Sequence, residues 1–85
     1  MTDPIRTKVR EVLAKHARLP VAIDQVADGA DLFQAGMTSH ASVNVMLALE
    51  DAFDVEFPDS MLKRSVFETI DAIATAIGEL EVQAA

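Results

Sequence analysis

The sequence contains no cysteine, and this absence excludes both a disulfide framework and a zinc site built on thiolates. A domain of 85 residues without such crosslinks depends on hydrophobic packing for its stability. The absence also fits a reducing compartment, and we expect the protein to be cytoplasmic. No secretory signal is visible, and the longest uncharged stretch, residues 32–49, contains six polar side chains. We therefore expect a soluble protein with no membrane partner.

Basic residues are scarce beyond the N-terminal segment. Residues 1–18 hold five bases and two acids, a balance of +3, whereas residues 19–85 hold two bases and twelve acids, a balance of −10. An acidic surface repels the phosphates of nucleic acids and anionic lipids, and it attracts basic surfaces of partner proteins. A nucleic-acid partner is therefore not expected, although the same charge would serve simple solubility.

The N-terminal segment predicts a helix over about 4–17. Asp3 suits the N-cap and Pro4 suits the first helical position. The apolar stripe at helical spacing consists of Ile5, Val9, Val12 and Leu13. His16 falls on the same stripe and is expected to be a core histidine. The helix should end before Pro20, because the residue preceding a proline is disfavoured in the helical conformation.

A long loop over 19–38 and a second helix over about 39–53 follow. A loop of this length inside a small domain is often functional, and its apolar side chains, Ile23, Val26, Leu32 and Phe33, are expected to hold it to the core. The expected inward face of helix two consists of Ser42, Val45, Met46, Leu49 and Phe53. The opposite face consists of His40, Asn44, Leu47 and Asp51.

The C-terminal third predicts a short helix over about 58–63, which Pro58 can open, and a last helix over about 66–80. Ser65 and Thr69 are alternative caps for the last helix. Gly78 should weaken its end, and the final "EVQAA" should fray. No strand-like alternation or repeat is present. We therefore expect one all-α domain over 1–85: a monomeric, small antiparallel four-helix bundle with three longer helices, one short helix and a long first loop.

No catalytic or metal-binding set of residues is evident. Ser39 is followed by His40, but adjacent residues on a helix point about 100° apart, so a serine–histidine–carboxylate triad is not expected. The acidic stretch "DAFDVEFPD" lacks the spacing and the central glycine of an EF-hand loop. The start of a helix does favour a negative group, so Ser39 suits a phosphate ester. A plain helix cap, at Ser39 or at Thr38, is the alternative.

The segment "DLFQAGMTSHASVNVMLALEDAFDVEFP" resembles the core motif of acyl and peptidyl carrier proteins. The matching residues, in order, are Asp31, Leu32, Gly36, Met37, Ser39, Glu50, Asp51, Phe53, Phe57 and Pro58. "FETIDAIATAI" is similar to the family's last helix. The resemblance covers nearly the whole chain, and the ordered set of residues is far more specific than the serine motif alone.

The resemblance implies that Ser39 carries 4′-phosphopantetheine, which a separate phosphopantetheinyl transferase attaches from coenzyme A. The terminal thiol of this arm holds a cargo as a thioester, and partner enzymes supply the chemistry. The chain itself would then be no enzyme. A partner that reaches Ser39 would land on the polar face of helix two, which makes His40, Asn44, Leu47 and Asp51 the expected docking residues.

Two positions depart from the usual family pattern. The residue before the serine is usually Asp but here is Thr38, and the first half of helix two carries no acid. Fatty-acid synthase partners, which dock on such acids, should therefore recognise this chain poorly, and the transferase should be selective.

"GMTSHASV" and "ALEDAFDVEFPD" are similar to stand-alone bacterial aminoacyl carrier proteins, which ligases similar to class II seryl-tRNA synthetases load. Glycine or alanine is the expected cargo, because the expected core of Val45, Met46 and Leu49 leaves no slot for a long acyl chain. A fatty-acid, polyketide or D-alanyl carrier remains open, as does an unmodified helical interaction module. The sequence does not indicate the downstream acceptor enzyme.

Overall fold

The computed structural model describes residues 3–84 and the side chains of residues 3–82, and within this part the chain is entirely helical and without strands. The helices are α1 (Pro4–His16), α2 (Leu32–Ala35), α3 (Ser39–Phe53), α4 (Arg64–Phe67) and α5 (Ile70–Ala84), with 3₁₀ turns at Ile23–Gln25 and Asp59–Met61. The predicted all-α bundle is therefore confirmed, with α1, α3 and α5 as its three longer helices. None of the helices described is long and apolar enough to cross a membrane.

The core lies where α1 packs against both α3 and α5. The largest side chains with almost no exposed surface are Val9, Leu13, Leu32, Val45, Leu49, Ile70, Ile73 and Ile77. They come from all three longer helices and from α2, so each apolar stripe is covered by the others. Asp3 caps α1 as expected, because its carboxylate accepts a hydrogen bond of 3.0 Å from the backbone N–H of Ile5.

The last helix begins later and extends further than predicted. Thr69 provides the cap, since its hydroxyl accepts a hydrogen bond of 2.9 Å from the backbone N–H of Ala72. Residues Arg64–Phe67 form the separate short helix α4, and a 3₁₀ turn occupies part of the predicted short helix. Gly78 does not end α5, which continues to Ala84. Ala85, the last residue of the segment expected to fray, lies outside the described residues.

The expected core positions are partly wrong on both α1 and α3. His16 is exposed, because at the end of α1 burial continues along the row of Val9, Leu13 and the capping residue Ala17, whereas the row of Val12 is buried no further than Val12 itself. On α3 the buried row is Ala41, Val45 and Leu49. The predicted inward face was therefore rotated, and Ser42, Met46 and Phe53 are only partly buried.

The loop between α1 and α3 is attached to the bundle by charges as well as by apolar contacts. Arg10 donates hydrogen bonds to the carbonyl oxygen of Ile23 (2.8 Å) and to the Asp28 carboxylate (2.5 Å). The backbone N–H of Asp71 in α5 donates to the carbonyl oxygen of Asp28, at 3.0 Å. As predicted, Val26 and Leu32 are buried and Ile23 and Phe33 pack against the core. The long loop is thus fixed to both α1 and α5.

Candidate functional site

Ser39 is the first residue of α3, and its side chain is exposed. The preceding Thr38 caps the helix, because its hydroxyl accepts a hydrogen bond of 3.0 Å from the backbone N–H of Ala41. Between the two alternatives that the sequence left open, the cap is therefore Thr38. The hydroxyl of Ser39 makes no hydrogen bond with any of the residues described, so it remains accessible for other chemistry.

The backbone before Ser39 is held in place by α2 and its C-terminal turn. Asp31 caps α2, and Gly36 ends it with φ of 126°, a conformation that side chains with a Cβ rarely adopt. A Cβ at Gly36 would also lie 2.6 Å from Cδ of Pro20. Met37 follows, buried in the core, and its N–H donates to the carbonyl oxygen of Leu32 at 3.0 Å. The exposed serine therefore stands only two residues beyond a buried anchor.

The described residues place neither a catalytic partner nor a metal-binding group beside Ser39. His40 is exposed on the adjacent position of α3, and no hydrogen bond joins it to Ser39 among the described residues. Across residues 3–82, no group of three or more His, Cys, Asp or Glu side chains is arranged to hold a metal ion. The helix start contributes the partial positive charge of its free N–H groups, which favours an anionic ester at this hydroxyl.

An apolar cavity of about 360 Å³ opens beside Ser39, between α3 and the segment that contains α4. Val43, Met46 and Leu62 line it together with two cations, Lys63 and Arg64. The guanidinium of Arg64 stacks over the ring of Phe33, 4.3 Å from its centroid. The cavity lies on the surface, outside the fully buried Val45 and Leu49, and of the side chains expected to close the core only Met46 lines it.

This cavity was missed because it depends on α4, which was not predicted. Phe67 of α4 is buried against Phe57, with 5.3 Å between the ring centroids, and this contact holds α4 against the bundle. The distribution of basic residues in the sequence did indicate the position of the cavity. Lys63 and Arg64 are the only bases in residues 19–85, and both line the cavity that contains Ser39.

The four predicted docking residues are all exposed along α3. Asn44, Leu47 and Asp51 line a common groove of about 590 Å³ between α3 and α1. His40 is not part of this groove, although it begins the same helix face. Leu47 is 54% exposed, so it offers apolar surface within this groove.

One acid of the carrier-like motif has a structural role. The Glu50 carboxylate accepts a hydrogen bond of 2.8 Å from the backbone N–H of Phe57. Asp54 ends α3 in the left-handed conformation, with φ of 54°. Together these two acids turn the chain after α3, so Asp51 is left as the acid of the "ED" pair that is free to meet a partner.

The fold and the exposed serine are those of a carrier domain. A family model described as "Phosphopantetheine attachment site" (PP-binding) matches residues 5–77. The chain therefore belongs to the phosphopantetheine-binding family, which confirms the resemblance found in its sequence. A domain of this family carries 4′-phosphopantetheine covalently and acts as the substrate of other enzymes rather than as an enzyme.

Similar proteins indicate which kind of carrier protein this chain resembles. The chain is 51% identical to the aminoacyl carrier protein of Agrobacterium fabrum over 69 residues, which are 81% of this chain and 83% of the relative. Its structure is similar to a chain in the crystal structure of an engineered Bradyrhizobium japonicum glycine:carrier protein ligase, which is complexed with a carrier protein from Agrobacterium tumefaciens and ATP. The TM-score is 0.86 and the identity 47%, and the match covers 88% of this chain and 97% of the matched chain. It is also similar to a Bradyrhizobium japonicum complex of such a ligase with glycylated carrier protein (TM-score 0.76, 26% identity, 87% and 99% covered).

Proposed function

We propose that this protein is an aminoacyl carrier that bears 4′-phosphopantetheine on Ser39 and holds a small amino acid, glycine or alanine. The observation that carries the proposal is the accessible Ser39 hydroxyl at the start of α3, with the capping role filled by Thr38. When bound, the arm supplies a thiol that holds the carboxyl group of the cargo as a thioester. Tethering keeps the cargo at high effective concentration near its partners.

The residues around Ser39 fit this group. A phosphodiester on Ser39 would stand at the positive end of α3, where a negative charge is favoured. Lys63 and Arg64 on the cavity wall would supply further positive charge to the phosphate, and Val43 and Met46 would supply apolar surface to the arm. The residues present are therefore those that a phosphorylated, partly apolar arm requires.

Two enzymes are proposed as partners. A phosphopantetheinyl transferase would modify Ser39, and an ATP-dependent ligase, similar to class II seryl-tRNA synthetases, would load the amino acid. Four of the similar structures hold a carrier protein with a glycine:carrier protein ligase, which supports a ligase of this kind. These enzymes consume coenzyme A and ATP, so we propose the cytoplasm as the site of action.

Intact mass measures the modification directly. The apo-protein is incubated with coenzyme A and a broad-specificity phosphopantetheinyl transferase, and we expect it to gain one phosphopantetheine unit. Ser39→Ala should gain none. Ser42→Ala is the matched control, because this nearby hydroxyl donates to the Ser39 carbonyl oxygen at 2.6 Å and should not be modified. Modification of Ser39→Ala would refute the assignment, and an unmodified wild type in native cells would favour an interaction module instead.

Parallel loading reactions identify the cargo. One contains holo-protein, ATP, mixed amino acids and a glycine:carrier protein ligase, and the other contains malonyl-coenzyme A and a malonyl transferase. We expect a glycyl or alanyl adduct that hydroxylamine removes, since hydroxylamine cleaves thioesters. Efficient malonyl loading without any aminoacyl adduct would refute the aminoacyl cargo while leaving the carrier role intact.

A further inference from the structure

The five basic side chains of the N-terminal segment divide into two sets. Arg6 and Arg10 are engaged inside the molecule: Arg6 pairs with Asp71 at 2.7 Å and Arg10 pairs with Asp28 at 2.5 Å. The other three are Lys8, Lys15 and Arg18. In the part of the chain that the structure describes, none of these three has a carboxylate within ion-pairing distance, and Lys15 and Arg18 are exposed.

The three unpaired bases all line the groove between α1 and α3. Two carboxylates, Glu11 and Asp51, and the exposed His16 line it as well, so three fixed positive charges face two negative ones. The chain as a whole has a net charge of −7, so the charge of this groove is opposite in sign to the net charge of the protein. Its opposite wall presents the exposed Leu47.

The backbone conformation of Arg18 indicates that the positive charge in the groove is functional. It follows α1 with φ of 56°, a left-handed conformation that glycine adopts without steric cost and that commonly ends a helix. The chain has an arginine here instead, and its side chain lies at the groove. A position where local conformation favours one residue and the sequence holds another is often functional.

We infer that the groove between α1 and α3 is the docking site for an acidic face of the ligase that loads the carrier, with Leu47 as its apolar contact. Charge complementarity identifies the partner surface: an acidic face is repelled by most of this acidic protein and attracted to the groove, where bases outnumber acids. The groove also lies close to the proposed attachment site. With a rise of about 1.5 Å per helical residue, Asn44 and Asp51 lie about 8 and 18 Å along α3 from Ser39.

The sign of this inference is opposite to what the net charge suggests, since an acidic protein should attract basic partners. It rests on the proposed function, because the ligase is the partner that must reach the end of the arm. The inference adds α1, which was expected only to pack in the core, to the surface that contacts the partner. A basic partner surface and an acidic one can therefore be distinguished by reversing the charge of the groove.

Loading kinetics test the inference. Holo-protein is glycylated with ATP and glycine by the engineered Bradyrhizobium ligase, at low and at high NaCl. For Lys15→Glu/Arg18→Glu we expect kcat/KM to fall by about tenfold at low salt, within the range of electrostatic steering, mainly through KM. Lys15→Gln and Gln25→Glu form a matched pair, since each lowers the net charge by one and Gln25 lies outside the groove. Only Lys15→Gln should slow loading.

Thermal melts of the variants keep the result interpretable, because the substituted side chains are exposed and should leave the midpoint unchanged. Unchanged or faster loading of the double variant would overturn the inference while leaving the proposed function standing. No glycylation of wild-type holo-protein would refute the proposed cargo and this inference with it. A wild-type dimer in sedimentation that Lys15→Glu abolishes would assign the groove to a second copy and would also overturn the inference.

Discussion

Leu49 and Leu47 allow a direct test of how the bundle is stabilised. They lie two residues apart on α3, yet Leu49 is fully buried and Leu47 is 54% exposed. Truncating Leu49 to alanine removes about three buried carbons, or about 2.4 kcal/mol at 0.8 kcal/mol for each. The cavity that remains adds to this loss, and fully buried leucines in other proteins cost about 3–5 kcal/mol.

This loss is large beside the total stability of the domain. At about 0.05–0.15 kcal/mol per residue, 85 residues give about 4–13 kcal/mol in all. Leu49→Ala should therefore lower the melting midpoint by at least about 10 °C or abolish folding. The measurement is the thermal unfolding of both variants by circular dichroism.

Leu47→Ala is the control, because the chemical change is the same and the side chain is outside the core. Its free energy of unfolding should change by less than about 0.5 kcal/mol, while its loading by the ligase should slow if Leu47 contacts the partner. Equal destabilisation by the two substitutions would refute the assignment of the buried face of α3. Unchanged loading of Leu47→Ala would remove this side chain from the docking surface.

Two further predictions concern glycines and pH. Gly36→Ala should lower the free energy of unfolding by at least about 1–2 kcal/mol, since φ is positive and the added Cβ would clash with Pro20. Gly78→Ala should raise the free energy of unfolding by about 0.5–1 kcal/mol, because Gly78 lies within α5 and an added Cβ would meet no other atom. Urea unfolding measures both, and a stabilising Gly36→Ala would contradict the turn geometry. The hydrogen bond from Arg6 lowers the pKa of Asp3, so its stabilising effect is complete above about pH 4 and is lost as pH falls through the lowered pKa. The stability difference between wild type and Asp3→Asn should accordingly shrink on acidification, and a difference independent of pH would contradict this.

The elements that the sequence predicted well are those with local signals. Asp3 and Pro4 fix the start of α1, and the start of α3 follows from the apolar spacing and the residues before it. Caps and apolar periodicity act over a few residues, so they can be recognised without knowing the rest of the fold. The position of Ser39 at a helix start depends only on such signals.

The features that the sequence did not reveal depend on contacts between distant segments. The burial of Ala17 in place of His16 is decided by how α1 lies on its neighbours, which a stripe of apolar residues defines only to within one position. The segment Arg64–Phe67 is too short to show a period, and its one buried side chain, Phe67, packs on Phe57 from a distant part of the chain. The cavity and the groove are both boundaries between helices, so neither can be read from one helix alone.

Under the proposed function, these two boundaries would assign one face of α3 to the arm and another to the partner. Ser39, Val43 and Met46 face the cavity under α4, whereas Asn44, Leu47 and Asp51 face the groove beside α1. Both concavities contain cations of an otherwise acidic chain: Lys63 and Arg64 in the first, and Lys8, Lys15 and Arg18 in the second. Because the two concavities lie on different faces of α3 and contain different cations, the phosphate of the proposed arm and an acidic partner surface would not compete for the same side chains. A substitution in one set should therefore leave the function of the other unchanged, and the effects of Lys63→Gln and Lys15→Gln on loading should be independent.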